Sequence, residues 1–307
     1  MSEIAFLDGG LGQEINKRSS QAKSHPLWSV QVMFDEPDIV VAAHKDFIAA
    51  GARVLTTNNY TATMTRLTRH GYADQFDAAH HLAFTLLNRA IDESADALQG
   101  EIDVNIAGCL PPLAASYVAE AALNYQDSYD QYARLIEIQA DHVDVFLVET
   151  ISNITEAKAA AAALKDAGQK RFIGLTLADD LSNSLRSGET LEAAIEVLGA
   201  EGVDAICVSC SFPEAIDAAL PVLTASGLRF GGYANGFTSI AGLAPGTTVD
   251  NLAARQDLSP AAYASHAIRW AEAGATLIGG CCEISPDHIA YLHQNLCDAG
   301  YKPAKLI

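Results

Sequence analysis

"VDVFLVETISNITEAKAAAAALKDAGQKRFIGLTLA", residues 143–178, reads as strand, helix, strand. Its opening "VDVFLVE" and closing "FIGLTLA" are rich in Val, Ile, Leu and Phe, as in strands buried on both faces of a parallel sheet. Residues 153–168 between them are amphipathic and Ala-rich, with Asn153 or Thr155 to cap the start and Gly168 to stop the end.

The alternation continues in both directions. Strand candidates precede this unit at 4–8, 53–58 and 104–108 and follow it at 205–210, 229–235 and 275–280. Helical patterns lie near 36–50, 75–98, 126–141, 189–200, 213–226, 258–273 and 286–299. Eight strands each followed by a helix, in 307 residues, point to an α/β fold of the (β/α)8 TIM-barrel type. A doubly wound open sheet is the alternative that periodicity leaves standing. No linker or repeat divides the chain, so residues 1–307 are read as a single barrel domain. The longer loops, 9–35, 109–125 and 236–257, start after strands 1, 3 and 7, on the face where barrels carry their chemistry.

The formal net charge of -19 argues against a nucleic-acid partner, whose phosphates need a basic surface. No signal peptide and no membrane-spanning run is seen, so a cytoplasmic location is expected. There thiols stay reduced, and the six cysteines are read as packing, metal or nucleophile candidates rather than as a disulfide framework.

The C-terminal strand ends bring together Asp8-Gly9-Gly10, Thr57-Asn58-Asn59-Tyr60, Cys109, Glu149, Cys210, Tyr233-Ala234-Asn235 and Cys281-Cys282. "CVSC" (207–210) tempts a paired-cysteine reading, but residues three apart on a strand point to opposite faces. Cys207 is therefore expected to pack toward the helices, and Cys210 to face the mouth. Cys281 and Cys282 are adjacent, so both reach the mouth only if the strand ends at Gly279-Gly280 and turns. Three thiolates with one open position make a catalytic kind of zinc site. Competing readings are a phosphate held at Gly279-Gly280, a vicinal disulfide, or plain packing, as assumed for Cys109 and Cys297. None of the nine histidines falls at a strand end, so no catalytic residue beyond the metal site is named.

Taken in order, these segments resemble the homocysteine S-methyltransferase family. The resemblance rests on "DGG" (8–10), "LWS" (27–29), "HKDFIAAGARVLTTNNYTAT" (44–63), "AGCLPPL" (107–113), "VET" (148–150), "SGETL" (187–191), "VSC" (208–210) and "GGCC" (279–282). It implies Zn2+ on Cys210, Cys281 and Cys282. It also implies homocysteine's ammonium on Asp8 and Glu149, with its carboxylate near the amides of Gly9 and Gly10. Thr57, Tyr60 and Asn235 complete the expected substrate contacts, and Tyr60, Tyr233 and Phe237 are the aromatic candidates for an onium. The sequence departs from the family at Cys109, Ser209 and Ala234.

The implied enzyme moves a methyl group from S-methylmethionine or S-adenosylmethionine to homocysteine, giving methionine. Glycine betaine is the alternative donor, and a barrel with a purely structural zinc the alternative of another class. Its partners are small molecules, with neither nucleic acid nor membrane, and its oligomeric state is left open.

Overall fold

A computed structural model describes residues 2–21, 23–249 and 252–306. Eight parallel strands make a barrel: β1 Ser2–Phe6, β2 Val54–Thr56, β3 Asn105–Leu110, β4 Val145–Ile151, β5 Phe172–Leu175, β6 Ala205–Ser209, β7 Phe230–Ala234 and β8 Leu277–Gly280. Neighbours pair in chain order from β2 to β8, and β8 pairs with β1. The ring closes through a Leu7↔Val54 bridge, where the Asp8 N–H donates to the Val54 carbonyl at 3.0 Å.

The outer layer is helical. Its elements are α1 Leu11–Arg18, α2 Ser29–Asp35, α3 Pro37–Ala49, α4 Met64–His70, α5 Phe76–Leu98 and α6 Tyr125–Gln139. They continue with α7 Ile154–Asp166, α8 Leu191–Glu201, α9 Pro213–Ala225, α10 Pro260–Glu272 and α11 Pro286–Asp298. Capping follows the sequence closely: Asn153 accepts the Glu156 N–H, Thr190 the Ala193 N–H and Ser259 the Ala262 N–H, each satisfying an orphan donor of a first turn. No helix among the described residues is long and apolar enough to cross a membrane.

Three short helices were not expected: α1 and α2 lie in the loop read at 9–35, and α4 in the stretch left unassigned between 58 and 75. Each has only seven or eight residues, too few for a helical period to stand out. A ninth strand, β9 Tyr301–Ala304, was also unexpected. It runs parallel to β1 from Ser2↔Tyr301 to Ala5↔Ala304. Its sequence "YKPA" carries a Pro and a Lys, the signature of an edge strand rather than a buried one.

Side chains alternate between two cores. Ile4, Phe6, Phe146, Val148, Ile206 and Val208 face the helices. Ala5, Leu7, Val54, Ala107, Val145, Leu147, Phe172, Ala205, Tyr233 and Leu277 fill the barrel. Cys207 belongs to this second set, which corrects the expectation that it faces the helices. It does pack as a buried thiol; the parity argument failed because it counted Cys210 as part of the strand. β6 ends at Ser209, and Cys210 takes φ 49°, which resets the alternation.

Leu306 plugs the floor, with its N–H donating to Asn105 Oδ1 at 2.8 Å. Leu306→Ala is expected to lower stability by about 2 kcal/mol in urea unfolding and to leave the far end of the barrel unaltered.

Candidate functional site

Past the strand ends, the Sγ atoms of Cys210, Cys281 and Cys282 lie within 4.8 Å of one another. Cys210 and Cys281 are joined as a disulfide across 71 residues, and Cys282 Sγ stands 3.8 Å from Cys210 Sγ. The expectation of uniformly reduced thiols is thus not met, because the same convergence that makes a metal site brings two sulfurs within bonding reach. The vicinal pair itself is unbonded, and Cys282 is free. Sulfurs on one tetrahedral zinc sit about 3.8 Å apart, given Zn–S bonds of about 2.3 Å. The Cys210–Cys282 separation has that value, so the reduced trio fits such an ion.

The local backbone explains how consecutive residues reach one point. β8 stops at Gly280, as the sequence required, and Cys281 and Cys282 follow in a turn closed by the Ile284 N–H on the Cys281 carbonyl at 3.0 Å. Gly279 and Gly280 have ordinary φ; what they lack is room. A Cβ on Gly279 would meet Leu7, and one on Gly280 would meet Ile284. The left-handed residue is Glu283, φ 65°, whose carboxylate is held by Gln13 at 2.5 Å and Lys17 at 2.7 Å, both on α1.

The carboxylates come from opposite sides. Asp8 follows β1 and accepts the N–H and the hydroxyl of Thr56 at 2.8 and 3.1 Å, so it ties two strand ends together. Burial pushes its carboxyl up to about 8 against those hydrogen bonds, with Glu149 adding to the rise. Glu149, in β4, accepts the Cys109 S–H at 3.0 Å, and burial pushes it up to about 7. Neither acid makes an ion pair among the described residues. Both line one cavity of about 150 Å3 together with the three cysteines.

Other predicted contacts divide. Tyr60 lines the cavity, its hydroxyl 2.9 Å from Ser116 Oγ. Thr57 also lines it, but its hydroxyl is engaged with Asn59 and the Cys109 N–H. The Gly9 and Gly10 backbone borders the cavity, yet the Gly10 N–H is committed to the Ile284 carbonyl at 2.8 Å, which leaves Gly9 as the amide without such a bond among the described residues. Asn235 does not line the cavity. It is fully buried, donates to the Cys210 carbonyl at 2.6 Å and accepts the Phe237 N–H at 3.0 Å, so it props the metal-type residue rather than meeting a ligand. Phe237 packs beside the sulfurs, and the Tyr233 hydroxyl is buried beside Ser209.

Several residues at the mouth were not singled out from sequence. Tyr117 (φ 65°) packs with Cys210 and Phe237, and its phenol bonds Cys282, opposing the burial that pushes that thiol up to about 12. Trp28, read in sequence only as part of "LWS", lines the cavity (φ 51°) with its indole N–H unpartnered among the described residues. Arg66, in α4, lines it too. The signal for Cys109 was present, since it stood at a strand end and departed from the family pattern; for Tyr117, in an irregular loop, there was none.

The homocysteine S-methyltransferase family model matches residues 5–296. The homocysteine S-methyltransferase of Escherichia coli (strain K12) is 27% identical over 320 residues, covering 94% of this chain and 94% of that one. A selenocysteine methyltransferase of Astragalus bisulcatus is 24% identical, covering 97% of this chain and 94% of that one. Among solved structures, the metallated form of the Escherichia coli homocysteine methyltransferase MmuM superposes with a TM-score of 0.80 at 24% identity over 96% of each chain. At that identity the superposition speaks for the barrel alone.

The raised acids make a stability prediction. A carboxyl neutral in the fold and ionised in the unfolded chain contributes stability fully below its unfolded pKa, and that stability is lost as pH rises through the folded one. For Asp8 the window runs from its ordinary value of 3.8 to about 8. Asp8→Asn is expected to gain on the native protein across that window, by at most about 5 kcal/mol at pH 8, less what Asn loses as an acceptor for Thr56, and by little at pH 4, in parallel denaturation curves.

Proposed function

We propose, from the premise that the chain belongs to the homocysteine S-methyltransferase family, that this mouth transfers a methyl group from an onium donor to the thiol of homocysteine, giving methionine. The observation that carries the reading is the convergence of three sulfurs within 4.8 Å at a cavity lined by two carboxylates, Asp8 buried and Glu149 half-buried, with no ion pair among the described residues. Cys210, Cys281 and Cys282 are the proposed holders of Zn2+, which when bound supplies the acceptor as a thiolate at neutral pH. A structural zinc would ask for a fourth protein ligand, and the described residues bring no further Cys, His, Asp or Glu into the cluster.

The remaining work belongs to this chain's own side chains. Asp8 and Glu149 receive the acceptor's ammonium, and Gly9's N–H is the amide left for its carboxylate. Cys109 fixes one Glu149 oxygen, so the other stays turned to the ligand. Tyr60 and Tyr233 offer ring faces to the onium. The acceptor sulfur attacks the methyl carbon in line. A new C–S bond forms while the bond from methyl to the onium atom breaks, and the electron pair leaves with a neutral thioether or amine. No proton moves at the methyl group, so no histidine is needed there. A sulfonium, S-methylmethionine or S-adenosylmethionine, is the first choice of donor and glycine betaine the second. A cytoplasmic setting suits cysteines that must be reduced to bind metal.

The test is zinc content and methionine formation after purification under reductant, with homocysteine and each donor in turn, and with selenocysteine as a second acceptor. One zinc per chain is expected, with turnover of at least one onium donor. Cys282→Ala should weaken zinc binding about 100-fold and abolish turnover, whereas Cys207→Ala should keep both and lose only packing. Oxidation that closes Cys210–Cys281 should expel the metal, and reduction restore it. Full zinc content in Cys282→Ala would sink the metal assignment. A zinc-loaded protein inert toward every donor would sink the reaction.

A further inference from the structure

The charged side chains lining the cavity are Asp8, Glu149 and Arg66. The acids have a proposed ligand; the guanidinium has none. Arg66 is sheltered enough that desolvation holds its pKa below the ordinary arginine value. Even so, it makes no ion pair among the described residues. Neighbouring Arg186, by contrast, pairs with Asp179 at 2.8 Å. Glu156, whose field reaches Arg66, is spent on the Leu113 N–H and the Tyr132 hydroxyl.

The guanidinium is well aimed. Nε and Nη2 donate to the Pro112 carbonyl at 3.3 and 2.9 Å, and Nη2 reaches Ser116 Oγ at 3.3 Å. These bonds fix the plane and leave Nη1 without a hydrogen bond among the described residues. The group stands 5.6 Å from the centre of the Tyr60 ring, whose hydroxyl meets the same Ser116. A planar cation with free N–H groups, immobilised in a cleft, is a seat for a carboxylate.

Position separates this seat from that of the acceptor. Asp8 and Glu149 are bonded to Thr56 of β2 and Cys109 of β3, at the strand ends themselves. Arg66 is carried on α4, beyond β2, and leans on the loop after β3. The acids therefore come from strand ends and the guanidinium from a helix, with Tyr60 between them feeling both Arg66 and Glu149. A ligand with a methylated cation on Tyr60 and a carboxylate a few bonds away reaches Arg66.

Building on the methyl-transfer reading above, we propose that Arg66 binds the carboxylate that each of these methyl donors carries. Arg66 is then the residue that sets donor specificity.

The experiment uses zinc-loaded protein and donors in matched pairs: S-methylmethionine against its carboxamide, and glycine betaine against choline. For the donor that is turned over, the acid form should exceed its partner in kcat/KM by about 10- to 100-fold, the worth of a charge-assisted hydrogen bond from the free Nη1. Arg66→Gln should remove that preference by raising the KM of the acid donor. It should leave the carboxylate-free partner and the KM for homocysteine within twofold of native. Arg66→Lys should recover part of the preference. Equal losses on both members of a pair would make Arg66 a mere brace between loops and overturn the proposal. A raised homocysteine KM with an unchanged donor KM would assign the seat to the acceptor and overturn it equally. If no donor is turned over, the reaction reading fails on its own. Calorimetric binding of S-methylmethionine and glycine betaine then decides for Arg66: binding lost in Arg66→Gln supports the seat, and equal or no binding in the native protein refutes it.

Discussion

The site depends on one close approach, that of the loop after β1 to the turn after β8. A Cβ on Gly10 would stand 2.6 Å from the Cys281 carbonyl, and one on Gly9 would strike the Ile284 carbonyl and the Phe47 ring. With no side chains between them, the two backbones bond directly: Gly280 N–H to the Asp8 carbonyl at 2.9 Å, and Gly10 N–H to the Ile284 carbonyl at 2.8 Å. This contact closes β8 onto β1, and in the same stroke it sets the distance between Asp8 and the Cys281-Cys282 pair. Barrel closure and site geometry are therefore a single constraint, reinforced from outside by Glu283 on Gln13 and Lys17. The glycine pair read as a carboxylate cradle is first a packing device.

A second constraint follows from strand geometry. A strand delivers every other side chain to the barrel interior, whereas this mouth needs consecutive residues to face it. The chain solves this with residues in the left-handed region, each of which costs about 1–3 kcal/mol and persists only where its surroundings over-determine it. Cys210 is pinned by its N–H on the Tyr233 carbonyl at 2.9 Å and by Asn235 on its own carbonyl. Thr150, φ 60°, has its N–H on Ser209 Oγ at 2.9 Å. Ser209, a departure from the family pattern, thus serves the residue next to Glu149. Asn235, expected to touch substrate, works through Cys210 in the same way.

How much of this was legible in the sequence follows from these two constraints. The barrel was, because buried parallel strands and amphipathic helices write their periods directly into "VDVFLVE" and its neighbours. The sulfur trio was, because "GGCC" forces a turn. Cys207 was misplaced because parity holds only while φ stays extended, and no local signal announces that Cys210 leaves the strand. β9 was missed because its partners, Ser2 to Ala5, lie about the whole chain length away, and "YKPA" advertises an edge. Tyr117 and Arg66 reach the mouth from loop and short helix, where position is set by tertiary packing alone. The disulfide between Cys210 and Cys281 depends on a distance, which spacing in sequence does not encode.

The mouth is also electrostatically unfinished when no ligand is in place. Asp8 is buried and Glu149 half-buried, both are raised, and each has only neutral hydrogen-bond donors. With Asp8 near 8 and Glu149 near 7, neutral water leaves Asp8 mostly protonated and Glu149 about half so. An arriving ammonium reverses that balance, since an opposite charge a few ångströms away favours the ionised carboxylates. On the reading proposed above, binding of an amino-acid acceptor between these acids is coupled to proton release from the pair. A thiol without an ammonium, on that reading, gains less from these acids, whose burial the fold maintains at a cost to its own stability. On the same reading, a preference for an α-amino thiol follows from the same desolvation that raises the two acids.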